Sequence, residues 1–119
     1  MPEERRAHPR SSEKHKLRLK IDHVPAEMRP NTRPFTVWTN DVSYGGLQFT
    51  CRRWLPVGTV LKLEVECSRP HEVFRHVGRV VWLRKEADEE HYTIGVYFTE
   101  TPVRVLNAWG KHLTASTTM

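Results

Sequence analysis

The stretch Tyr92-Thr93-Ile94-Gly95-Val96-Tyr97-Phe98 has the clearest β-strand pattern in the chain. Every second residue from Tyr92 to Phe98 is large and apolar, and a threonine, a glycine and a tyrosine stand between them. Because side chains of a strand point alternately to its two faces, this spacing predicts a strand with one face on a core. Runs elsewhere in the chain must therefore supply its partner strands.

Five runs before this stretch also have strand patterns, and turn-forming or polar segments separate them. They are Lys16 to Asp22, Phe35 to Thr39, Leu47 to Thr50, Val60 to Glu66 and Val73 to Leu83. The end of the last run, Val80 to Leu83, is apolar on both faces, which predicts a segment covered on both sides. Parallel strands need crossovers of about a dozen or more residues, which this spacing does not provide. The pattern predicts an all-β fold, a six-stranded antiparallel β-barrel.

The hydrophobic period changes after the last strand. Thr101 suits a helix N-cap, and Pro102 suits the first helical position. Four apolar residues then recur along one helical stripe: Val105, Leu106, Trp109 and Leu113. This spacing predicts a short C-terminal α-helix that packs on the barrel or on a partner, followed by a disordered polar tail over residues 114–119.

Size and composition are those of one soluble globular domain, with 119 residues, 38% of them hydrophobic and 28% charged. No apolar run approaches the roughly 18 residues of a membrane span, and no secretion signal is apparent. We therefore expect a cytoplasmic protein without membrane insertion. Cys51 and Cys67 form no paired motif, which predicts free thiols rather than a zinc site or a disulfide.

Positive charge is concentrated at the beginning of the chain. Residues 1–20 carry seven Lys or Arg against three Glu, whereas the remainder carries twelve basic and eleven acidic residues. Residues 1–12 have no helix or strand pattern and are predicted to form a flexible basic arm before a barrel domain over residues 13–113. The arm either meets an anion or is only a solvated tail.

The residue patterns of common catalytic and metal sites are missing. Seven histidines are scattered without metal-ligand spacing, and the chain has no GxSxG, phosphate-binding glycine loop or helix-borne carboxylate pair. The sequence therefore predicts neither an enzyme nor a metal or cofactor site.

The segment Asn40-Asp41-Val42-Ser43-Tyr44-Gly45-Gly46 is predicted to be a polar turn between two strands. Asp41 and Ser43 are two residues apart, so an extended backbone directs both to one face. Gly45 and Gly46 would let the backbone turn or bulge where another residue is strained. Asp and Ser can bind the N–H groups of a purine, although an Asp before glycines also commonly bonds to its own turn.

The second candidate segment, Arg6-Ala7-His8-Pro9-Arg10, holds two arginines whose planar forks suit guanine or phosphate. It matches the RxxxR motif of the PilZ domain family, receptors of the bacterial second messenger cyclic di-GMP, and Asp41 to Gly46 matches the family's D/N-x-S-x-x-G motif. The strand order, the strands around Gly78 to Trp82 and Ile94 to Phe98, and the closing helix also resemble PilZ elements.

This resemblance implies roles for individual residues. Arg6 and Arg10 would grip guanine and phosphate groups as the arm wraps over the ligand. Asp41 and Ser43 would bind a guanine from the barrel surface, and Gly46 would permit a sharp turn or a close backbone approach.

Two further residues are assigned through the same resemblance. Arg5 stands where arginine accompanies binding of an intercalated pair of cyclic di-GMP molecules rather than one. Trp82 would offer a stacking face, or would instead be a core aromatic at a strand end. The loop over residues 23–34 is longer than in compact PilZ domains.

The resemblance implies a bacterial cyclic di-GMP receptor whose arm becomes ordered on ligand binding and which signals to an unidentified partner protein. One alternative is a ligand-free PilZ-like adaptor for protein interaction. Another is a small nucleic-acid-binding β-barrel, which the near-neutral body and the few aromatics on wet strand faces argue against.

Overall fold

The computed structural model describes residues 10–11, 14–25, 33–68 and 71–117, which form seven strands and one helix. The strands are β1 (Arg10–Ser11), β2 (Lys16–His23), β3 (Phe35–Ser43), β4 (Gly46–Cys51), β5 (Val60–Ser68), β6 (His71–Lys85) and β7 (Tyr92–Phe98), and the helix is α1 (Val103–Thr117).

The six longer strands form a closed antiparallel ring. Their order is β3-β2-β5-β6-β7-β4, and β4 pairs again with β3 to close it. The predicted six-stranded antiparallel β-barrel with a C-terminal helix is therefore confirmed. Alternating apolar residues point inward, and the core includes Leu17 and Leu19 of β2, Leu61 and Leu63 of β5, and Ile94 of β7.

Strand β1 was not expected from the sequence, which predicted an arm without strands. Arg10 pairs with Ser43 and Ser11 with Val42 at the edge of β3. The reason lies in the length of β3, because β2 pairs only with its first part, from Phe35 to Trp38. The backbone groups farther along that edge need other partners, and β1 supplies them.

The predicted turn from Asn40 to Gly46 is mostly strand. Strand β3 continues through Ser43, and only Tyr44 and Gly45 form the connection to β4. The register of the β3–β4 pair shifts between Thr39 and Asp41, which is the signature of a β-bulge. The bulge breaks the alternation of apolar and polar residues, and the sequence pattern therefore appeared to end at Thr39.

The prediction that Val80 to Leu83 is covered on both sides is wrong. A second register shift lies between Val80 and Trp82 in the β6–β7 pair. Val80 is fully buried, whereas Trp82 is 38% exposed on the outer face of the barrel.

Helix α1 covers the barrel with Trp109 and Leu113, both buried. The Trp109 ring contacts Phe74 and His76 of β6 edge-on, with centroid distances of 5.1 and 5.0 Å. The helix ends at Thr117, four residues beyond the predicted end. Residues 118–119 lie outside the described part of the chain.

Cys51 and Cys67 are both buried and form no disulfide with each other. Burial raises the pKa of the Cys51 thiol. Among the described residues, no helix combines the length and the apolar character that a membrane span requires.

Candidate functional site

A cavity of about 530 Å³ opens on the outer face of the barrel where β3, β4, β6 and β7 lie side by side. Its lining includes Asp41, Ser43, Gly46, Gln48, Trp82 and Tyr97. Four of these had been singled out from the sequence: Asp41, Ser43, Gly46 and Trp82. The fold therefore brings these four residues together, although Asp41 and Trp82 are 41 positions apart in the chain.

The floor of the cavity is one row of residues across four strands. Asp41 pairs with Gln48, Gln48 with Gly95, and Gly95 with Trp82. The Trp82 indole lies directly on Gly95, because a Cβ atom at that glycine would overlap the indole ring. Trp82 thus lines the cavity and is not a core aromatic.

Gly46 and Gly45 differ in what they require. A Cβ atom on Gly46 would overlap the carbonyl oxygen of Val96, so the backbones of β4 and β7 approach closely only because this residue is glycine. A Cβ atom on Gly45 would have no neighbour within 4 Å, and Gly45 does not have a positive φ. The expected close approach holds for Gly46, but the expected backbone strain does not hold for either glycine.

Helix α1 supports the end of β3 from behind the cavity. Trp109 Nε1 donates a hydrogen bond of 2.8 Å to the carbonyl oxygen of Ser43. The ring of Tyr44 lies against Gly110, where a Cβ atom would come within 3.2 Å of it. Ser43 Oγ in turn donates to the Gly46 carbonyl at 3.3 Å. These contacts fix the backbone that carries Asp41 and Ser43.

The last residue of the RxxxR segment lies beside strand β3, which contributes to the lining of the cavity. Arg10 lies directly opposite Ser43 in the β1–β3 pair, so the end of the RxxxR segment adjoins the segment from Asp41 to Gly46. Arg5 and Arg6 lie outside the described residues.

A protein-family model of the PilZ domain matches residues 4–114. The chain belongs to the PilZ domain family. PilZ domains form a receptor family for cyclic di-GMP. No curated protein shows a significant match.

Two solved structures are similar in fold. The Bacillus subtilis inhibitor of motility, MotI/DgrA, has a TM-score of 0.74 and 13% identity. The match covers 95% of this chain and 51% of the MotI/DgrA chain. This chain therefore spans about half the length of that protein. The PilZ domain of YcgR from Escherichia coli, a structure with cyclic di-GMP, has a TM-score of 0.63 and 15% identity. The match covers 95% of this chain and 94% of that domain.

A chain of side-chain hydrogen bonds in this PilZ domain links β3, β4, β7 and the connection after β6. Asn40 Nδ2 donates to Thr50 Oγ1 at 2.8 Å, and Thr93 Oγ1 donates to Glu86 at 2.6 Å. The hydroxyls of Thr50 and Thr93 are 3.0 Å apart, and Thr50 must be the donor because Thr93 uses its proton on Glu86. The Thr93 hydrogen bond, followed by one from Arg84, lowers the pKa of the Glu86 carboxyl.

Seven of the described residues that line the cavity were not assigned to the site from the sequence, and Gln48 and Tyr97 are two of them. Gln48 is half-buried and Tyr97 is 63% exposed. Both alternate with core residues, so they had the pattern of ordinary solvent-facing strand positions. Only the closing of the barrel brings β4 and β7 together and places these side chains beside the motif.

A second cavity, of about 580 Å³, lies between β2, β5, β6 and the beginning of α1. Ion pairs accompany it, with Lys62 at 3.6 Å from Asp22 and Arg75 at 3.2 Å from Glu64. His76 also lines it, and its ring stacks on Phe98 at 3.8 Å. Burial lowers the pKa of His76 to about 4.

Proposed function

We propose that this PilZ domain binds cyclic di-GMP in the cavity on the outer face of β3, β4, β6 and β7. The observation that carries the proposal is the register of β1, in which Arg10 lies opposite Ser43. It joins the arginine segment to the Asp–Ser segment at the rim of a cavity of about 530 Å³. Family membership supports the same ligand.

The proposed contacts follow from the chemistry of each side chain. Asp41 and Ser43 bind guanine N–H groups from the barrel, and the indole of Trp82 stacks on a base. Arg6 and Arg10 bind guanine and phosphate groups from the arm through charge-assisted hydrogen bonds.

Signalling would arise from the arm. A ligand that contacts both the arm and β3 binds more tightly when the arm is closed over the cavity. Ligand binding therefore shifts the equilibrium of the arm toward the closed state. The ordered arm changes the surface next to the barrel, and a cytoplasmic partner protein would recognise that change. With Arg5 before the motif, we expect an intercalated pair of ligands, which a titration end point of two ligands per chain would support.

The test is calorimetry of the full chain with cyclic di-GMP. Asp41→Ala and Arg6→Ala should each weaken binding by about 1.5–3 kcal/mol, since each removes a charged hydrogen-bonding partner. Asp22→Ala is the matched control, because Asp22 is an acidic residue whose ion pair accompanies the second cavity.

The control variant should bind like the parent, and all three variants should keep the parent's circular dichroism spectrum. Absence of heat at micromolar ligand, or equal affinity for the parent, Asp41→Ala and Arg6→Ala, would overturn the proposed site.

A further inference from the structure

Gln48 occupies the centre of the cavity floor but belongs to neither motif. It lies between Asp41 on β3 and Gly95 on β7, and Trp82 covers that glycine. Its side chain is half-buried. Within the described part of the chain, the Gln48 amide has no hydrogen-bond partner. A half-buried amide that the protein itself does not use is available to a ligand.

The neighbours of Gln48 present complementary hydrogen-bonding groups. Residues directly opposite each other in an antiparallel pair have Cβ atoms about 4.5–5.5 Å apart, so the Asp41 carboxylate and the Gln48 amide can meet one edge of a single base. An ionised carboxylate only accepts hydrogen bonds, whereas the glutamine Nε2 donates them. The Watson–Crick edge of guanine has the matching order: the O6 acceptor, then the N1–H and N2–H donors.

We propose that Gln48 is a specificity-determining residue of the cyclic di-GMP site, with Nε2 donating to guanine O6 while Asp41 accepts from N1–H and N2–H. This inference rests on the proposed function. The base stacks on Trp82, whose ring centroid lies 5.9 Å from the Arg84 guanidinium, and directs its edge toward β3 and β4. Adenine fits poorly, because its unprotonated N1 would face the Asp41 carboxylate.

The atomic assignment can be tested with an inosine analogue of the ligand, which keeps O6 and N1–H but lacks the N2 amino group. Titrations use the full chain with cyclic di-GMP and with cyclic di-IMP. Gln48→Leu, similar in size, should weaken both ligands about 5- to 20-fold, as expected for one hydrogen bond to a desolvated acceptor. Gln48→Glu keeps the shape of the side chain but removes the Nε2 donor, so it should weaken the binding of both ligands by at least the same factor.

Thr36→Val is the matched control. Like Gln48→Leu, this substitution replaces a polar side chain on the barrel surface by an apolar one. Thr36 is an exposed residue of β3 that does not line the cavity. It should bind both ligands like the parent. Thermal unfolding of all variants separates a loss of binding from a loss of fold.

Three outcomes overturn the inference in different ways. Parent-like binding by Gln48→Leu or Gln48→Glu removes Gln48 from the site but leaves the proposed function intact. A loss by Gln48→Leu that occurs with cyclic di-GMP and disappears with cyclic di-IMP would assign Gln48 to the N2 amino group instead of O6. A parent protein that binds neither ligand overturns the proposed function, and this inference with it.

Discussion

The two cavities of the barrel are nearly equal in volume, about 530 and 580 Å³, but differ in what lines them. The first has an acid, a hydroxyl, an amide and two aromatic side chains around it. The second is accompanied by side chains that already pair with each other, as Arg75 does with Glu64 and Lys62 with Asp22.

This difference indicates that volume alone does not identify a binding site. Polar groups that are already paired gain little from a ligand, because each new contact replaces an existing one. In the first cavity, the amide of Gln48 has no such competing partner among the described residues. The four predictions that follow separate contributions to ligand binding from contributions to stability.

The largest expected effect concerns Trp109, which contacts one lining residue of each cavity. It donates to the Ser43 carbonyl on one side and contacts His76 on the other. Trp109→Ala should lower the free energy of unfolding by about 3–5 kcal/mol, because it empties a fully buried site. Denaturant unfolding measures this, with Trp38→Ala as control, since Trp38 is 58% exposed and should matter little. Similar losses for the two variants would show that α1 is not part of the core.

The second prediction concerns pH and tests the stabilising role of the second cavity. Burial lowers the pKa of His76 from 6.5 to about 4, so the unfolded chain takes up this proton at a higher pH than the folded chain does. Stability is therefore lost as pH falls from about 6.5 to 4, by up to about 3 kcal/mol from this residue.

Unfolding free energies at pH 7 and pH 4.5 would measure this effect. His76→Phe keeps the aromatic packing on Phe98 without a titrating group, so its stability should fall less than the parent's over that interval. An unchanged pH dependence in the variant would mean that other groups cause the acid sensitivity.

The third prediction uses the two neighbouring glycines at the first cavity. Gly46→Ala should cost about 1–3 kcal/mol of stability, because its methyl group overlaps the Val96 carbonyl and the backbone cannot relax easily. Gly45→Ala should change stability by about 0.5 kcal/mol or less, but its methyl group enters the cavity and should weaken cyclic di-GMP binding. Thermal unfolding and calorimetry separate the two effects. Equal destabilisation by both substitutions would mean that β4 and β7 can separate enough to admit a methyl group at position 46.

The smallest effect is expected at the second cavity. Arg75→Ala removes an ion pair between side chains that are 73% and 45% exposed, and such pairs contribute about 0–1 kcal/mol. The variant should unfold like the parent and bind cyclic di-GMP with the parent's affinity. A clear loss of binding would mean that the second cavity takes part in ligand recognition.

Hydrophobic periodicity predicted the six barrel strands and the existence of the helix, because each core strand shows its buried face in its own sequence. It failed at the two bulges, between Thr39 and Asp41 and between Val80 and Trp82. A bulge depends on how the partner strand pairs, so a single run of sequence cannot specify it.

The site could be predicted only in part, because some of its features depend on how the strands pair and not on the local sequence. Asp41 and Ser43 stand in a recognisable local motif, whereas the need for glycine at position 46 comes from Val96, fifty residues later. Gln48 has no local signal, because an amide on a solvent-facing strand position is ordinary until the neighbouring strands surround it. Arg10 could be named as a site residue, but its pairing with Ser43 depends on the open edge of β3.

The hydrogen-bond chain from Asn40 through Thr50 and Thr93 to Glu86 has a consequence for folding fidelity. It joins β3, β4 and β7 to the connection after β6 by side chains that meet in one alignment only. If β4 slipped by one residue, Thr50 would turn toward the core and an apolar neighbour would take its place on the outer face. The misaligned barrel would bury a hydroxyl and expose a core side chain, so this polar chain discriminates against wrong strand alignments during folding.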